Sequence, residues 1–165
     1  MSLPGGVCFA KALIAQIAED EGQPASPWDH TFSYTEYKSF AGGQANFLAL
    51  LVPVSQPALL PDHIYGEDND PLFTTDPAGI FQWVYHSPSG SNADLLPPIV
   101  LYGDSFLDHY RNAGIETYLS AEYRAWPSIN LISVLKNLPP GTRYFVFEFV
   151  EPLLNDIAMY NIPGR

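Results

Sequence analysis

Residues 99–110 read IVLYGDSFLDHY, a run of apolar residues that turns through Gly-Asp-Ser into a segment with helical spacing. A run this short and this apolar has no polar face to offer water. It is predicted to be a strand buried on both sides, the position that parallel α/β sheets provide. The rest of the C-terminal half fits. A helical segment is predicted over about 107–121, and a short strand near 123–126. A further helix carries Ile129, Ile132, Leu135 and Leu138, with Ser128 as its cap, and RYFVFEFV follows as the strongest strand. Parallel neighbours need crossovers long enough to hold a helix, so this βαβαβ order predicts an α/β fold, a parallel sheet flanked by helices.

Upstream, Phe9, Ala10, Leu13, Ile14 and Ile17 line one face of a helix predicted over 7–18, and GGQANFLALLVP reads as a second, shorter one. Residues 53–71 read as loop, rich in proline and carrying a solvated acidic run, GEDND. PLFTTDPAGIFQWVYH reads as a small β-hairpin insertion, because β-prone runs flank Asp76-Pro77-Ala78-Gly79, a turn by composition. SPSGSNADLLPP is another loop. Residues 4–165 are read as one domain and residues 1–3 as a short expression leader.

Eighteen acidic residues face seven Lys and Arg, a net charge of −11, which repels phosphate backbones and anionic lipid; no nucleic-acid partner is expected. The single cysteine, Cys8, excludes an internal disulfide and reads as a small buried hydrophobe. No apolar run approaches membrane-spanning length, so no transmembrane segment is expected. Walker, dinucleotide-binding and GxSxG motifs are absent, and no two histidines have metal-ligand spacing. Neither a metal nor an organic cofactor is expected.

Ser105 sits just past the carboxyl end of a predicted parallel strand, where ligands of α/β sheets bind. Gly103 would let the chain turn sharply there. Backbone N–H groups at the start of the following helix would hold a developing oxyanion, which is the geometry of nucleophilic acyl transfer short of a base. The plainer alternative is that Asp104 or Ser105 simply caps a helix.

IVLYGDSF resembles the nucleophile block of the SGNH (GDSL-type) esterases and acetyltransferases. Ordinary members carry this block early and a DxxH block late, and no Asp-x-x-His occurs here. The order is similar to that of the alginate O-acetyltransferase-like branch, in which an Asp-x-His-Trp signature, an amphipathic helix and a variable stretch precede Gly-Asp-Ser-Phe. FAKALIAQIAED suits that helix, and RYFVFEFVEPLL suits a closing strand with acidic Glu148 and Glu151. The resemblance implies an SGNH-like domain truncated at its N-terminus, with the catalytic histidine upstream. It implies Ser105 as nucleophile, Gly103 and the Ser105 amide at the oxyanion, and acyl, chiefly acetyl, transfer to or from carbohydrate hydroxyls. It further implies the extracytoplasmic side of a bacterial envelope and a partner in envelope acetylation machinery.

Within the chain, His30 is the candidate base, because a catalytic triad is defined by spatial roles and not by spacing. His109 reads as a helix-surface residue, and His63 and His86 as solvated. Arg111 and Arg124 read as surface ion pairs, with contact to an anionic sugar as the alternative. Trp83, Tyr85, Tyr123 and Trp126 read as packing residues or as platforms for sugar rings. Two other functions stay open: an esterase or lipase for small esters built on His30, and a non-catalytic carbohydrate-binding or assembly module.

Overall fold

The computed structural model describes residues 3–23, 27–40, 56–63, 65, 73–87 and 95–148. The helix predicted at 42–53 and the GEDND run lie outside them. Helix α1 (Leu3–Asp20) starts earlier than predicted and buries Val7, Ala10, Ile14, Ile17 and Ala18 along one stripe. Cys8 lies off that stripe and is exposed, which corrects its reading as a buried hydrophobe. Phe9 also leaves the core face and stacks on Tyr110, ring centroids 5.0 Å apart.

Strands β1 (Tyr34–Phe40) and β2 (Gln56–Pro61) form an antiparallel ribbon of two strands. Part of the loop expected at 53–71 is therefore strand. Its prolines are tolerated because both strands of a two-stranded ribbon are edges, where an N–H donor can be missing. The predicted hairpin is present as β3 (Phe73–Thr74) and β4 (Trp83–His86). Between them the Asp76 carboxylate accepts hydrogen bonds from the N–H groups of Ala78, Ile80 and Phe81 at 2.9–3.1 Å, fixing the turn.

Strand β5 (Ile99–Gly103) is buried at every position. A 3₁₀ turn (Ser105–Leu107) leads from it to helix α2 (Asp108–Asn112) and then to a second 3₁₀ turn (Ile115–Tyr118). The single helix expected over 107–121 is broken here because Gly114 takes the left-handed conformation, φ 74°. Strand β6 (Ala121–Ala125), helix α3 (Leu131–Lys136) and strand β7 (Tyr144–Glu148) follow. Asn130, and not Ser128, caps α3, accepting from the N–H of Ile132 at 2.8 Å.

The main sheet has five strands in the order β3-β4-β6-β5-β7. Only β6, β5 and β7 are mutually parallel; β4 joins β6 antiparallel, and β3 joins β4 antiparallel. The expected parallel sheet flanked by helices is thus corrected to a mixed α/β arrangement with a second, separate ribbon and few helices. The hairpin is the antiparallel edge of the sheet and not an insertion outside it.

Side-chain alternation along β5 divides the core in two. Ile99 and Leu101 pack with α1, Leu107, Tyr110 and Ile115, whereas Val100 and Tyr102 pack with Ala125, Leu131 and Val134 on the other face. The connection leaving β5 therefore covers one face and the connection leaving β6 covers the other. The chain steps from β5 to β6, then back past β5 to β7, and right-handed crossovers in opposite directions must leave on opposite faces. This makes the carboxyl ends of β5 and β6 a topological switch point, where α/β sheets open a crevice. Among the described residues, no helix is long and apolar enough to cross a membrane.

Candidate functional site

Ser105 stands at that switch point. It is exposed, directly follows the carboxyl end of β5 by way of Asp104, and opens the 3₁₀ turn. Asp104 takes the capping role: its carboxylate accepts from the Phe106 N–H at 2.9 Å and its carbonyl from the Leu107 N–H at 3.1 Å. The cap and the serine are thus different residues, and the Ser105 hydroxyl is left to solvent.

Gly103 lies within the ladder opposite Glu148. A side-chain carbon there would collide with the Glu148 carbonyl oxygen and crowd Leu107. Its lack of a side chain admits β7, and the Asp104 N–H donates to the same carbonyl at 3.3 Å.

Across the crevice, β6 contributes Arg124, only 2% exposed. Its Nη1 donates to the Asp108 carboxylate at 2.6 Å and its Nη2 to the Asp104 carbonyl at 3.5 Å. Its guanidinium lies over the Trp126 ring, 5.4 Å from the centroid. Glu122 shares the same strand face, while Arg111 and Glu116 of the crossover are also buried. The two arginines expected at the surface are therefore inside. They help form a charged seam that ties the crossover to β6, while apolar packing ties it to β5. Burial pushes the Glu122 carboxyl up against the opposing pull of Arg124 and Arg111. A strand that alternates Glu122 and Arg124 with Ala121, Tyr123 and Ala125 carried the signal, since residues two apart share a face.

Glu148 ends β7 beside this turn, on the α1 side that Tyr144 and Val146 also face. Its Oε2 is buried without a hydrogen-bond partner, as is the Tyr110 hydroxyl. Burial, then the neighbouring Asp104, raises the Glu148 carboxyl to about 7 from 4.5. A raised carboxyl means that the folded state holds a proton which the unfolded chain releases. This contribution to stability is full below about pH 4.5 and is lost as pH rises through 7. Glu148→Gln, which cannot ionise, should therefore unfold at a higher temperature than the parent at pH 8 and near the parent value at pH 4.5. Thermal melts across that range provide the check, and equal gaps at both ends would contradict it.

His30 lies elsewhere. Its Nδ1 donates to the Ala113 carbonyl at 3.0 Å, and its ring stacks on Tyr65, centroids 3.7 Å apart. Tyr118 completes the mooring of this segment. Its hydroxyl donates to the Asp29 carboxylate at 2.6 Å and accepts from the backbone N–H groups of Asp29 and His30. Thr117 Oγ1 is 3.4 Å from His30 Nε2, but its proton goes to the Gly114 carbonyl at 2.8 Å. Neither ring nitrogen of His30 hydrogen-bonds Ser105. The other histidines divide: His63 and His86 are exposed as expected, but His109 is half-buried. His109 packs against Gly6 of α1, with an unpartnered Nδ1 and a pKa lowered by burial, so it is no surface residue.

Two adjoining hollows flank the hairpin. One of about 390 Å³ is lined by Thr74, Phe81, His86, Tyr123 and Asn137, and one of about 510 Å³ by Gln82, Trp126, Ser128 and Ile129. Thr75, Asp76 and Phe81 border both. Trp83 partners Arg124 across the β4–β6 ladder, so the hairpin turn lies at the same end of the sheet as Ser105.

No protein-family model matches the chain, and no curated protein matches it. Among solved structures, a DHHW family protein from Eubacterium siraeum DSM 15702 superposes with a TM-score of 0.48 at 14% identity. The match covers 90% of this chain and 55% of that one, so this chain spans about half of its length. A likeness of this size carries no argument about function. The resemblance to the SGNH (GDSL-type) enzymes is overturned: no such family model matches, and the sheet is mixed with few helices. Four residues, Gly-Asp-Ser-Phe, are too short a match to define a family.

Proposed function

We propose that this chain handles acyl esters and that Ser105 accepts the acyl group, most simply acetyl, in hydrolysis or in transfer to or from carbohydrate hydroxyls. The observation that carries this reading is an exposed serine hydroxyl on the turn leaving the central parallel strand, at the switch point of the sheet. The parallel strands β6-β5-β7, with helices packed on their two faces, serve as its platform.

In this reading the Ser105 hydroxyl attacks the ester carbonyl and its proton passes to a base at the crevice. Glu148, at the end of β7 beside the turn, is the candidate acceptor, though no hydrogen bond joins it to Ser105 in the structure. The alcohol leaves with a proton, and an acyl-serine remains. Water or an acceptor hydroxyl then attacks that ester, giving up its proton as the serine oxygen regains one. The net charge of −11 favours neutral esters over anionic ones.

A second reading, a non-catalytic carbohydrate-binding module, is favoured by one observation. No histidine among the described residues hydrogen-bonds Ser105, while the hollows beside Tyr123 and Trp126 offer aromatic walls.

A fluorophosphonate probe separates the two. It should label Ser105, leave Ser105→Ala unlabelled, and react faster as pH rises through about 7. An unlabelled parent protein that binds neutral oligosaccharides would support the module instead.

A further inference from the structure

We propose that Arg124 is the positioning residue of Ser105, holding the serine's turn at both ends from the neighbouring strand. The inference rests on the reading of Ser105 as an acyl acceptor.

A guanidinium 2% exposed cannot meet a substrate, so its effect on chemistry must pass through what it holds. It holds two points. Nη2 reaches the Asp104 carbonyl, just before the turn, and Nη1 reaches the Asp108 carboxylate, just after it. Residues 105–107 are suspended between. A single 3₁₀ turn has poor internal hydrogen-bond geometry and little stability of its own. This one is closed by bonds from Phe106 and Leu107 to Asp104 and by the Asp108 N–H on the Ser105 carbonyl, all within five residues. A tie from outside therefore decides where the turn as a whole, and Ser105 with it, is held. The Trp126 ring supports the guanidinium plane. Arginine suits the task because its rigid fork spans both acceptors. The lysine ammonium is a point charge that cannot bridge them in the same way.

A competing account is that Arg124 serves only to neutralise Glu122. The two accounts divide on which partner matters, Asp108 or Glu122. Asp108 is half exposed, so substitutions there test the clamp without opening the core.

The experiment measures the rate of fluorophosphonate labelling at Ser105 in the full chain and in Arg124→Lys, Asp108→Ala, Asp108→Asn and Glu122→Gln, with circular dichroism confirming the fold. Arg124→Lys and Asp108→Ala should slow labelling roughly 10–100-fold, the scale on which small misplacements act. Asp108→Asn keeps an oxygen acceptor for Nη1 and should recover to within about threefold of the parent. Glu122→Gln should label at the parental rate. If Arg124→Lys does not fold, the contrast between Asp108→Asn and Asp108→Ala decides alone. Parental rates in both Arg124→Lys and Asp108→Ala would overturn the clamp while leaving Ser105 reactive. A slow Glu122→Gln, or Asn no better than Ala at 108, would overturn it too. A parent protein that never labels removes the reading of Ser105, and the clamp with it.

Discussion

Gly103→Ala is expected to cost about 3 kcal/mol of folding stability, at the upper end for overpacking substitutions. The added carbon would collide with the carbonyl oxygen of Glu148 and lie 3.1 Å from its carbon and 3.2 Å from Leu107 Cδ1. The first two atoms are backbone, so no rotamer change relieves the clash. Strand β7 must move away from β5, and the movement breaks the Gly103–Glu148 pairing and the bond from the Asp104 N–H. Urea unfolding should give a lower midpoint with an unchanged slope, the sign of a changed stability in an unchanged unfolded state. A loss under about 1 kcal/mol would mean that β7 does not approach β5 this closely.

Arg124→Met should cost about 3 kcal/mol at neutral pH, because it removes a positive charge that acts on a buried carboxyl without forming a direct ion pair with it. Glu122 is 3% exposed and would lose the larger of its two opposing positive charges. Its carboxyl, already raised in the folded state, would rise further. The folded variant would then hold a proton that the unfolded chain releases, and its stability would fall as pH rises. The deficit relative to the parent should therefore be smaller at pH 5 than at pH 8. Adding Glu122→Gln should restore part of the loss, because the group left behind no longer carries charge. Equal deficits at the two pH values would show that lost packing, and not an uncompensated carboxylate, sets the cost.

Local pattern revealed those parts of the fold whose causes are local. The run Ile99–Tyr102 has no polar side, so it could only be a central strand, and it is. Asp76-Pro77-Ala78-Gly79 announced a turn, and the Asp76 carboxylate makes it. The errors come from distant partners. Residues 83–86 join β6 at 121–124, and nothing within the hairpin says that it will extend a parallel sheet in the antiparallel sense. Prolines hid β2, since its pairing with β1 leaves it an edge where they do no harm.

The site divides in the same way. Ser105 and Asp104 were legible, because an exposed turn residue and its cap follow from three residues in order. Arg111 and Arg124 were misread because charge suggests a surface in the absence of partners, and theirs come from other elements. His30 is moored to a carbonyl 83 positions away, a contact that no spacing argument reaches.

The central claim is that Ser105 takes an acyl group. Its most direct test is to mix the protein with p-nitrophenyl acetate, quench in acid within the first turnover, and map the modified peptide by mass spectrometry. One acetyl group on Ser105, absent from Ser105→Ala and formed more slowly in Glu148→Gln, is the predicted result. Acetyl found only on lysines, or on no residue at all while the protein stays folded, would contradict it.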